Sequence, residues 1–203
     1  IALAGLVATD TENNPLTYTI SSQPSNGSAT MRYGLNFNGT NSYTKTHNNV
    51  DLSGSAITIE YWFKGSYMQS VVRHQSEAGY IVAGYHGAHI LSNDGLENGI
   101  AVGAGVTDGK WHHVAMTWEQ NTTNGFKSYL DGNLVEQRNS SNTPLPNMND
   151  EIYFGSWVGT SDFANGAIAE VRIWNYARTQ SELQAHLSGS EAGLVGYWPL
   201  CSD

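Results

Sequence analysis

Short strand-like runs of apolar, β-branched and aromatic residues, some of them alternating with polar residues, recur along most of the chain, and each run predicts a β-strand. The predicted strands are Leu35–Phe37, Ile57–Phe63, Tyr80–Ala83, Trp111–Trp118, Phe126–Leu130, Glu151–Phe154 and Ala167–Trp174. Between them lie dipeptides that accept the positive φ of tight hairpins, among them Asp108-Gly109, Asn124-Gly125 and Asp131-Gly132. Many short strands separated by turns predict an all-β sandwich or barrel.

One segment near the C-terminus has a helical pattern instead. Residues 179–187 place Thr179 and Glu182 at the spacing of a capping box, and Gly189 follows as a stop signal. The sequence therefore predicts a single short C-terminal helix.

The first 33 residues differ from the rest of the chain. Leu16–Ile20 alternates strictly, and turn signals occur at residues 10–15 and 24–27. An isolated pair of strands is only marginally stable in water, so this segment must pack against the main domain or against another molecule. We expect an N-terminal β extension over residues 1–33 and a sandwich domain over residues 34–203.

Charge and composition exclude several classes of partner. Lys and Arg total 9 against 18 Asp and Glu, a net charge of −9, and no basic run supplies the positive face that nucleic acid requires. No apolar stretch approaches the roughly 20 residues of a membrane span. A surface rich in Ser, Thr, Asn and Gly, and a start at Ile1 without Met, lead us to expect a secreted or cell-surface protein. Cys201 is the single cysteine, so it has no partner for an intrachain disulfide.

Three segments, taken in order, resemble the laminin-G-like, concanavalin-A-type jelly-roll family. They are Leu35-Asn-Phe-Asn-Gly-Thr-Asn-Ser-Tyr43, then Asp108-Gly-Lys-Trp-His-His-Val-Ala-Met-Thr-Trp118 with Tyr129-Leu-Asp-Gly132, and finally Gly166-Ala-Ile-Ala-Glu-Val-Arg-Ile-Trp-Asn-Tyr-Ala-Arg178. The resemblance covers about residues 34–200. It implies a jelly-roll sandwich of two antiparallel sheets packed face to face, one of them concave.

The N-terminal extension is similar to the start of cadherin-like repeats in bacterial surface proteins. Ala8-Thr-Asp10, Pro15-Leu-Thr-Tyr-Thr-Ile20 and Gln23-Pro-Ser-Asn-Gly27 carry that similarity. The rest of such a repeat is missing, which leaves strand edges available for pairing with another chain. Self-association through residues 1–33 is therefore one hypothesis.

The jelly-roll resemblance also implies a structural calcium ion between the first strand and the last. Asn38, Asn41 and Glu170 are the candidate ligands, because calcium prefers oxygen donors. Ala169 stands where a further acidic residue is expected, and an ordinary Asn-rich turn is the alternative. His112 and His113 are adjacent on a strand, point to opposite faces and therefore cannot chelate one ion together; the resemblance makes one of them a hydrogen-bonding core residue.

Carbohydrate recognition needs aromatic faces for sugar C–H groups, with amides and carboxylates for hydroxyls. The exposed candidates are Tyr67, His74, Tyr85, His86, Asn93, Asp94, Trp157 and Asp162. Packing at the rim of the sandwich is the alternative role for Trp157. The tryptophans inside predicted strands are assigned to the core: Trp62, Trp111, Trp118 and Trp174.

Catalysis is not expected. Glycoside hydrolysis uses two carboxylates that flank the scissile bond, and Glu60 and Glu170 each stand alone in their strands. The leading hypothesis is an extracellular binding or adhesion module for glycans or cell-surface material. The alternative is a structural subunit of a fibre or array, assembled by donation of the N-terminal strand segment.

Overall fold

A computed structural model describes residues 34–67, 70–76, 79–84, 87–92, 97–101, 105–145, 148–185 and 191–200. The predicted N-terminal extension, with its cadherin-like similarity, lies outside the described residues, as do Gly189 and Cys201.

The regular secondary structure of the described residues is fifteen strands and one short helix. They are β1 Leu35–Asn38, β2 Thr44–Lys45, β3 Val50–Asp51, β4 Ala56–Tyr67, β5 Val72–Ser76, β6 Gly79–Gly84, β7 Gly87–Ser92, β8 Glu97–Ile100, β9 His112–Glu119, β10 Phe126–Leu130, β11 Asn133–Arg138, β12 Asn149–Asp150, β13 Ile152–Phe154, β14 Asn165–Trp174 and β15 Leu194–Trp198, with the helix α1 Gln180–Gln184.

The strands form two main antiparallel sheets. One has the order β1-β14-β4-β9-β10-β11, with β15 also paired to β14, which makes seven strands. The other has six strands in the order β2-β13-β5-β6-β7-β8, and β3 and β12 form a short separate pair. This arrangement confirms the predicted all-β jelly-roll sandwich with one short helix.

Side-chain alternation fills the space between the sheets. On β4 the residues Ile57, Ile59, Tyr61 and Phe63 all point into one buried cluster. The same cluster includes residues from the six-stranded sheet, namely Val72, Ile81, Ala83, Ile152 and Phe154. Each strand therefore turns its other side chains away from the core, onto an outer face of its sheet.

The four tryptophans assigned to the core behave differently from one another. Trp118 lies in the central cluster, as predicted. Trp174 is fully buried but pairs with Thr58 on the outer face of the seven-stranded sheet. Trp62 and Trp111 are only half-buried.

The helix α1 begins with the predicted capping box. The Glu182 amide donates to Thr179 Oγ1 at 3.3 Å, and the Thr179 amide donates to the Glu182 carboxylate at 2.7 Å. The helix ends at Gln184, earlier than predicted. Its buried residue, Leu183, packs against Ala115 and Tyr129 on the outer face of the seven-stranded sheet.

A buried ion pair fixes the segment that leads into α1. Arg178 Nη1 donates to Glu60 Oε1 at 3.1 Å, and both side chains are almost fully buried. The Arg178 guanidinium also lies 4.2 Å from the centre of the Trp174 ring and donates to the Glu182 carbonyl. His113 Nε2 lies 3.3 Å from the other oxygen of Glu60. These contacts bury Glu60 and Trp174 on the outer face of the seven-stranded sheet.

Removal of one partner of this pair should destabilise the domain strongly. We expect Arg178→Met to lower the free energy of unfolding by about 3–5 kcal/mol, because it leaves the Glu60 carboxylate buried without its cation. Urea unfolding checks this value. The matched control is Arg138→Met, which breaks an exposed ion pair with Glu136 and should cost less than about 1 kcal/mol. The double variant Glu60→Met/Arg178→Met should recover a large part of the loss. Equal costs for Arg178→Met and Arg138→Met would contradict this role.

Candidate functional site

The outer face of the six-stranded sheet carries a row of polar and aromatic residues in register. Tyr153 of β13 pairs with Lys45 of β2 on one side and with Arg73 of β5 on the other. Ile152 and Phe154 point into the core, so Tyr153 and its partners in the row point outward.

Tyr43 extends this row toward solvent. Its ring stacks on Tyr153 with centroids 5.9 Å apart and an interplanar angle of 30°, and 45% of Tyr43 remains exposed. Gly159 has φ +76°, and a Cβ at that position would lie 2.7 Å from Cζ of Tyr43. Tyr43 therefore rests directly on the turn that follows β13.

The same turn places Trp157 over Arg73. The Arg73 guanidinium carbon lies 3.2 Å from the centre of the Trp157 ring and 4.1 Å from the centre of the Tyr80 ring. Trp157 and Tyr80 meet edge to face at 5.4 Å. We call Tyr43, Tyr80, Tyr153 and Trp157, together with Arg73, the aromatic patch.

Arg73 is a buried cation with few hydrogen-bond acceptors. It is 0% exposed, and its Nη2 donates to Gln75 Oε1 at 2.7 Å. Its Nε and Nη1 have no acceptor within the described ranges. Burial lowers the pKa of Arg73 to about 10, while the nearby charge of Asp162 opposes that shift. Arg73 therefore stays charged at neutral pH.

Lys45 lies at the other end of the row. Its Nζ is 2.6 Å from Glu151 Oε2 and 5.7 Å from the centre of the Tyr153 ring. The aromatic patch is thus bordered by Lys45, whose charge Glu151 neutralises, and it contains the Arg73 guanidinium, which has no ion-pair partner among the described residues.

The structure brings three of the predicted carbohydrate contacts to this region. Trp157 belongs to the aromatic patch, and Asp162 lies in the same turn region with φ +53°. Burial raises the pKa of Tyr67, and the charge of Asp162 adds to that rise, which places Tyr67 near the same carboxylate. Tyr67 itself is 39% exposed. Four further candidates lie outside the described residues: Tyr85, His86, Asn93 and Asp94.

The prediction that His74 is exposed is wrong. His74 is 1% exposed, and its Nε2 lies 3.2 Å from the Val50 carbonyl and 3.1 Å from the Asp150 amide nitrogen. It follows Arg73 on β5, so alternation turns it inward. Burial lowers the pKa of His74, and it acts as a buried link to the short pair of strands β3 and β12.

The three predicted calcium ligands do not form one site. Asn38 pairs with Asn165, five residues from Glu170 on β14, which is roughly 16 Å along a strand. Asn38 Oδ1 accepts the amides of Thr40, Asn41 and Ser42, so it builds the Asn-rich turn.

The Glu170 carboxylate also has its own partners. Arg172 Nη2 donates to it at 2.6 Å, and the Tyr197 hydroxyl donates at 2.9 Å. Within the described ranges, no three His, Cys, Asp or Glu side chains cluster as metal ligands. The residues present at these positions therefore do not fit a shared calcium ion.

The two adjacent histidines have separate surroundings, as their alternation predicts. His113 contacts the buried Glu60 carboxylate. His112 lies between two carboxylates, with Nδ1 2.8 Å from Asp131 Oδ2 and Nε2 3.0 Å from Asp108 Oδ1. His112 thus joins the turn before β9 to the hairpin turn after β10.

Sequence reasoning missed most of the aromatic patch. Tyr153 lies in a predicted strand between two large apolar residues, so alternation alone could have placed it outward. Arg73 has no such signal, because β5 carries Val72, Arg73, His74 and Gln75 in succession and lacks a clean apolar alternation. Tyr80 has none either, because it begins the continuous apolar run Tyr80–Ala83 of β6.

Comparison with known proteins gives one family. Residues 38–184 match the laminin G-type family described as the concanavalin A-like lectin/glucanases superfamily. The chain is 25% identical over 166 residues to the sushi, von Willebrand factor type A, EGF and pentraxin domain-containing protein 1 of Rattus norvegicus. That match covers 71% of this chain and 4% of the relative, so the chain spans a small part of its curated relative.

Solved structures share the fold at low identity. A heptameric SAP-like pentraxin from Limulus polyphemus aligns with TM-score 0.59 and 12% identity, over 82% of this chain and 88% of the pentraxin. A putative carbohydrate binding protein from Bacteroides ovatus aligns with TM-score 0.56 and 17% identity, over 86% of this chain and 53% of that protein. Domains LG4-5 of the mouse laminin alpha1 chain align with TM-score 0.53 and 18% identity, over 70% of this chain and 42% of the laminin chain. None of the described helices is long and apolar enough to span a membrane.

The bridging position of His112 should make stability depend on pH. Partial burial lowers the pKa of His112, but its hydrogen bonds to Asp131 and Asp108 outweigh burial, so the net pKa is raised. Its contribution is therefore full below the unfolded pKa of about 6.5 and is lost as pH rises through the higher folded value. We expect the stability difference between wild type and His112→Gln to be largest near pH 5.5 and to shrink above neutrality, as measured by urea unfolding at several pH values.

The control for this measurement is His47→Gln, which changes an exposed histidine between β2 and β3. A His112→Gln difference that grew with rising pH would contradict the assignment.

Proposed function

The chain belongs to the concanavalin A-like lectin/glucanases superfamily, and from this membership we propose that it is an extracellular binding module that recognises carbohydrate through the aromatic patch. The observation that carries the proposal is the exposed ring of Tyr43, stacked on Tyr153 beside Trp157. Sugar rings present C–H faces that pack on aromatic rings, and their hydroxyls bond to amides and carboxylates.

Polar groups border these aromatic rings at suitable places. Gln75 is exposed next to Arg73, and Asp162 lies near Trp157. Glu151 lies beside Tyr153, with its carboxylate on Lys45. A saccharide on Tyr43 and Tyr153 would therefore have hydrogen-bonding partners on both sides. Such a shallow surface suits modest affinity.

The comparisons support a binding role. One solved neighbour is named a putative carbohydrate binding protein, and the curated relative's name includes a pentraxin domain. Composition supports a location outside the cell, because hydroxyls and amides rather than charges dominate the polar residues. Glycans or matrix components at a cell surface are therefore the partners we propose.

Binding rather than cleavage fits the acids of the larger sheet. Glu60 is buried in its ion pair with Arg178, and Glu170 is held by Arg172 and Tyr197. Glycoside hydrolysis requires one carboxyl group to act as acid and another as nucleophile or base. Carboxylates already committed to arginines are poorly suited to either role.

Loss of the stacked rings should weaken glycan binding. A panel of soluble polysaccharides is screened by affinity electrophoresis, with calcium and with a chelator, and the dissociation constant of any retained glycan is measured by calorimetry. We expect Tyr43→Ala and Tyr153→Ala each to weaken binding about twofold to tenfold, the usual worth of one aromatic contact. Tyr197→Ala is the matched control, since Tyr197 is 36% exposed but lies on β15 of the other sheet.

Two outcomes would contradict the proposal. One is the absence of retention on every glycan in both buffers. The other is equal weakening by Tyr43→Ala and Tyr197→Ala, which would place the ligand elsewhere.

A second candidate function is a structural subunit that assembles by strand pairing. It is favoured by β11, which lies at an edge of the seven-stranded sheet and exposes Leu134 and Val135. Such an edge can accept a strand from another chain, and the alternating segment Leu16–Ile20 of a second copy is the proposed donor.

Charge on that edge should block assembly. We expect the full chain to form concentration-dependent oligomers in size-exclusion chromatography, and Val135→Lys to shift them to monomer, because a lysine on an edge strand disfavours pairing. Ser66→Lys, at an exposed position on the interior strand β4, is the control. A wild-type chain that stays monomeric at all concentrations would eliminate this candidate.

A further inference from the structure

The guanidinium of Arg73 carries a charge that its surroundings do not neutralise. Among the described residues no carboxylate forms an ion pair with it, and its single acceptor is the uncharged amide oxygen of Gln75. Both Nε and Nη1 are buried without acceptors. Buried charges are normally paired, because burial removes their hydration. Arg73 is therefore a cation that would gain from an additional negative charge nearby.

That charge also changes the ring above it. A cation on one face of an aromatic ring is attracted by the negative potential of the π-system, and its positive charge offsets part of that potential at the opposite face. With the guanidinium carbon 3.2 Å from the ring centre, the far side of Trp157 becomes less negative than an ordinary indole face. Such a surface favours oxygen atoms that carry negative charge over C–H groups. Among the described contacts Tyr43 has no cation on its ring, and the Lys45 ammonium over Tyr153 is 5.7 Å from the ring centre and paired with Glu151. These two rings therefore stay closer to the usual preference for C–H groups.

The distance allows the charge to act on a bound ligand. Trp157 is only half-buried, and an atom in van der Waals contact with its far face would lie about 7 Å from the guanidinium. This is within the screening length of about 8 Å at physiological salt. A ligand therefore need not displace Trp157 to be affected by Arg73.

The neighbouring charges are unequal in effect. Lys45 is neutralised by Glu151 at 2.6 Å. Asp162 is close enough to act on the pKa of Arg73, but it makes no ion pair with it and accepts a hydrogen bond from Ser161. Asp162 thus offsets part of the Arg73 charge without removing it.

We infer that the aromatic patch prefers saccharides that carry a carboxylate, with the sugar ring on Tyr43 and Tyr153 and the carboxylate over Trp157 and Arg73. This inference rests on the proposed function. It names sugar acids as the ligand class, although the whole chain has a net charge of −9. The shared chemistry is a carboxylate on a sugar ring, which both uronic acids and sialic acids provide.

Two matched pairs of probes test the preference by calorimetry. Tetragalacturonate is compared with its methyl ester, and sialyllactose with its own methyl ester, so each pair differs in the charged carboxylate. We expect at least one acid to bind about fivefold more tightly than its neutral counterpart at physiological salt, and this ratio to fall as salt is raised. The pair that shows the ratio identifies the source of the carboxylate.

Variants test whether Arg73 causes the ratio of acid to neutral affinity. Arg73→Gln should reduce it to about twofold or less, whereas Arg73→Lys, which keeps the charge, should retain most of it. Asp162→Asn should increase it, because it removes the offsetting carboxylate. Arg138→Gln is the matched control, since it removes one cation from β11 of the other sheet and should leave the ratio unchanged.

The outcomes separate this inference from the proposed function. If acid and neutral probes bind equally and Tyr43→Ala weakens both, the glycan site stands and the preference is wrong. A preference that survives in Arg73→Gln also overturns it. If none of the four probes binds and the polysaccharide panel also fails, both proposals fail together.

Discussion

The buried ion pair of Arg178 and Glu60 determines which outer face of this sandwich is covered and which is left for a ligand. It holds the segment that leads into α1 against the seven-stranded sheet, where Trp174 and Leu183 are covered with it. A buried ion pair contributes little net stability over an apolar contact of the same shape, but separating its partners leaves an uncompensated buried charge. The pair therefore fixes the cover in one place.

The six-stranded sheet has the opposite character on the ranges that the structure describes. Its outer face presents Lys45, Tyr153 and Arg73 in one row, and the turn after β13 adds Trp157. Strand pairing positions the row, and the stacking of Arg73 between Trp157 and Tyr80 fixes the rings. A surface of this kind is already ordered before a ligand arrives, so little conformational entropy is lost on binding.

The fold was predictable because it depends on local alternation and turn chemistry. The strands around Ile57–Phe63 and Phe126–Leu130 were recognisable, and the positive φ of Asp131 and Gly132 matches the predicted hairpin. The site was predictable only in part. Trp157 and Asp162 were carbohydrate-contact candidates from the sequence, as an aromatic face and a carboxylate. Arg73 was missed because its role depends on two rings that come from other parts of the chain.

Two predictions failed for reasons of register rather than residue type. His74 is a plausible surface ligand in chemistry, but it follows Arg73 on β5 and so points inward. Asn38 and Glu170 have oxygen donors, but the pairing of β1 with β14 places them far apart. The central claim is that ligands bind the outer face of the six-stranded sheet, and amide chemical shifts of the labelled protein during glycan titration test it most directly. The account predicts shifts that concentrate on β2, β5, β6, β13 and residues 157–162; shifts confined to β9, β10, β11 and α1 would contradict it.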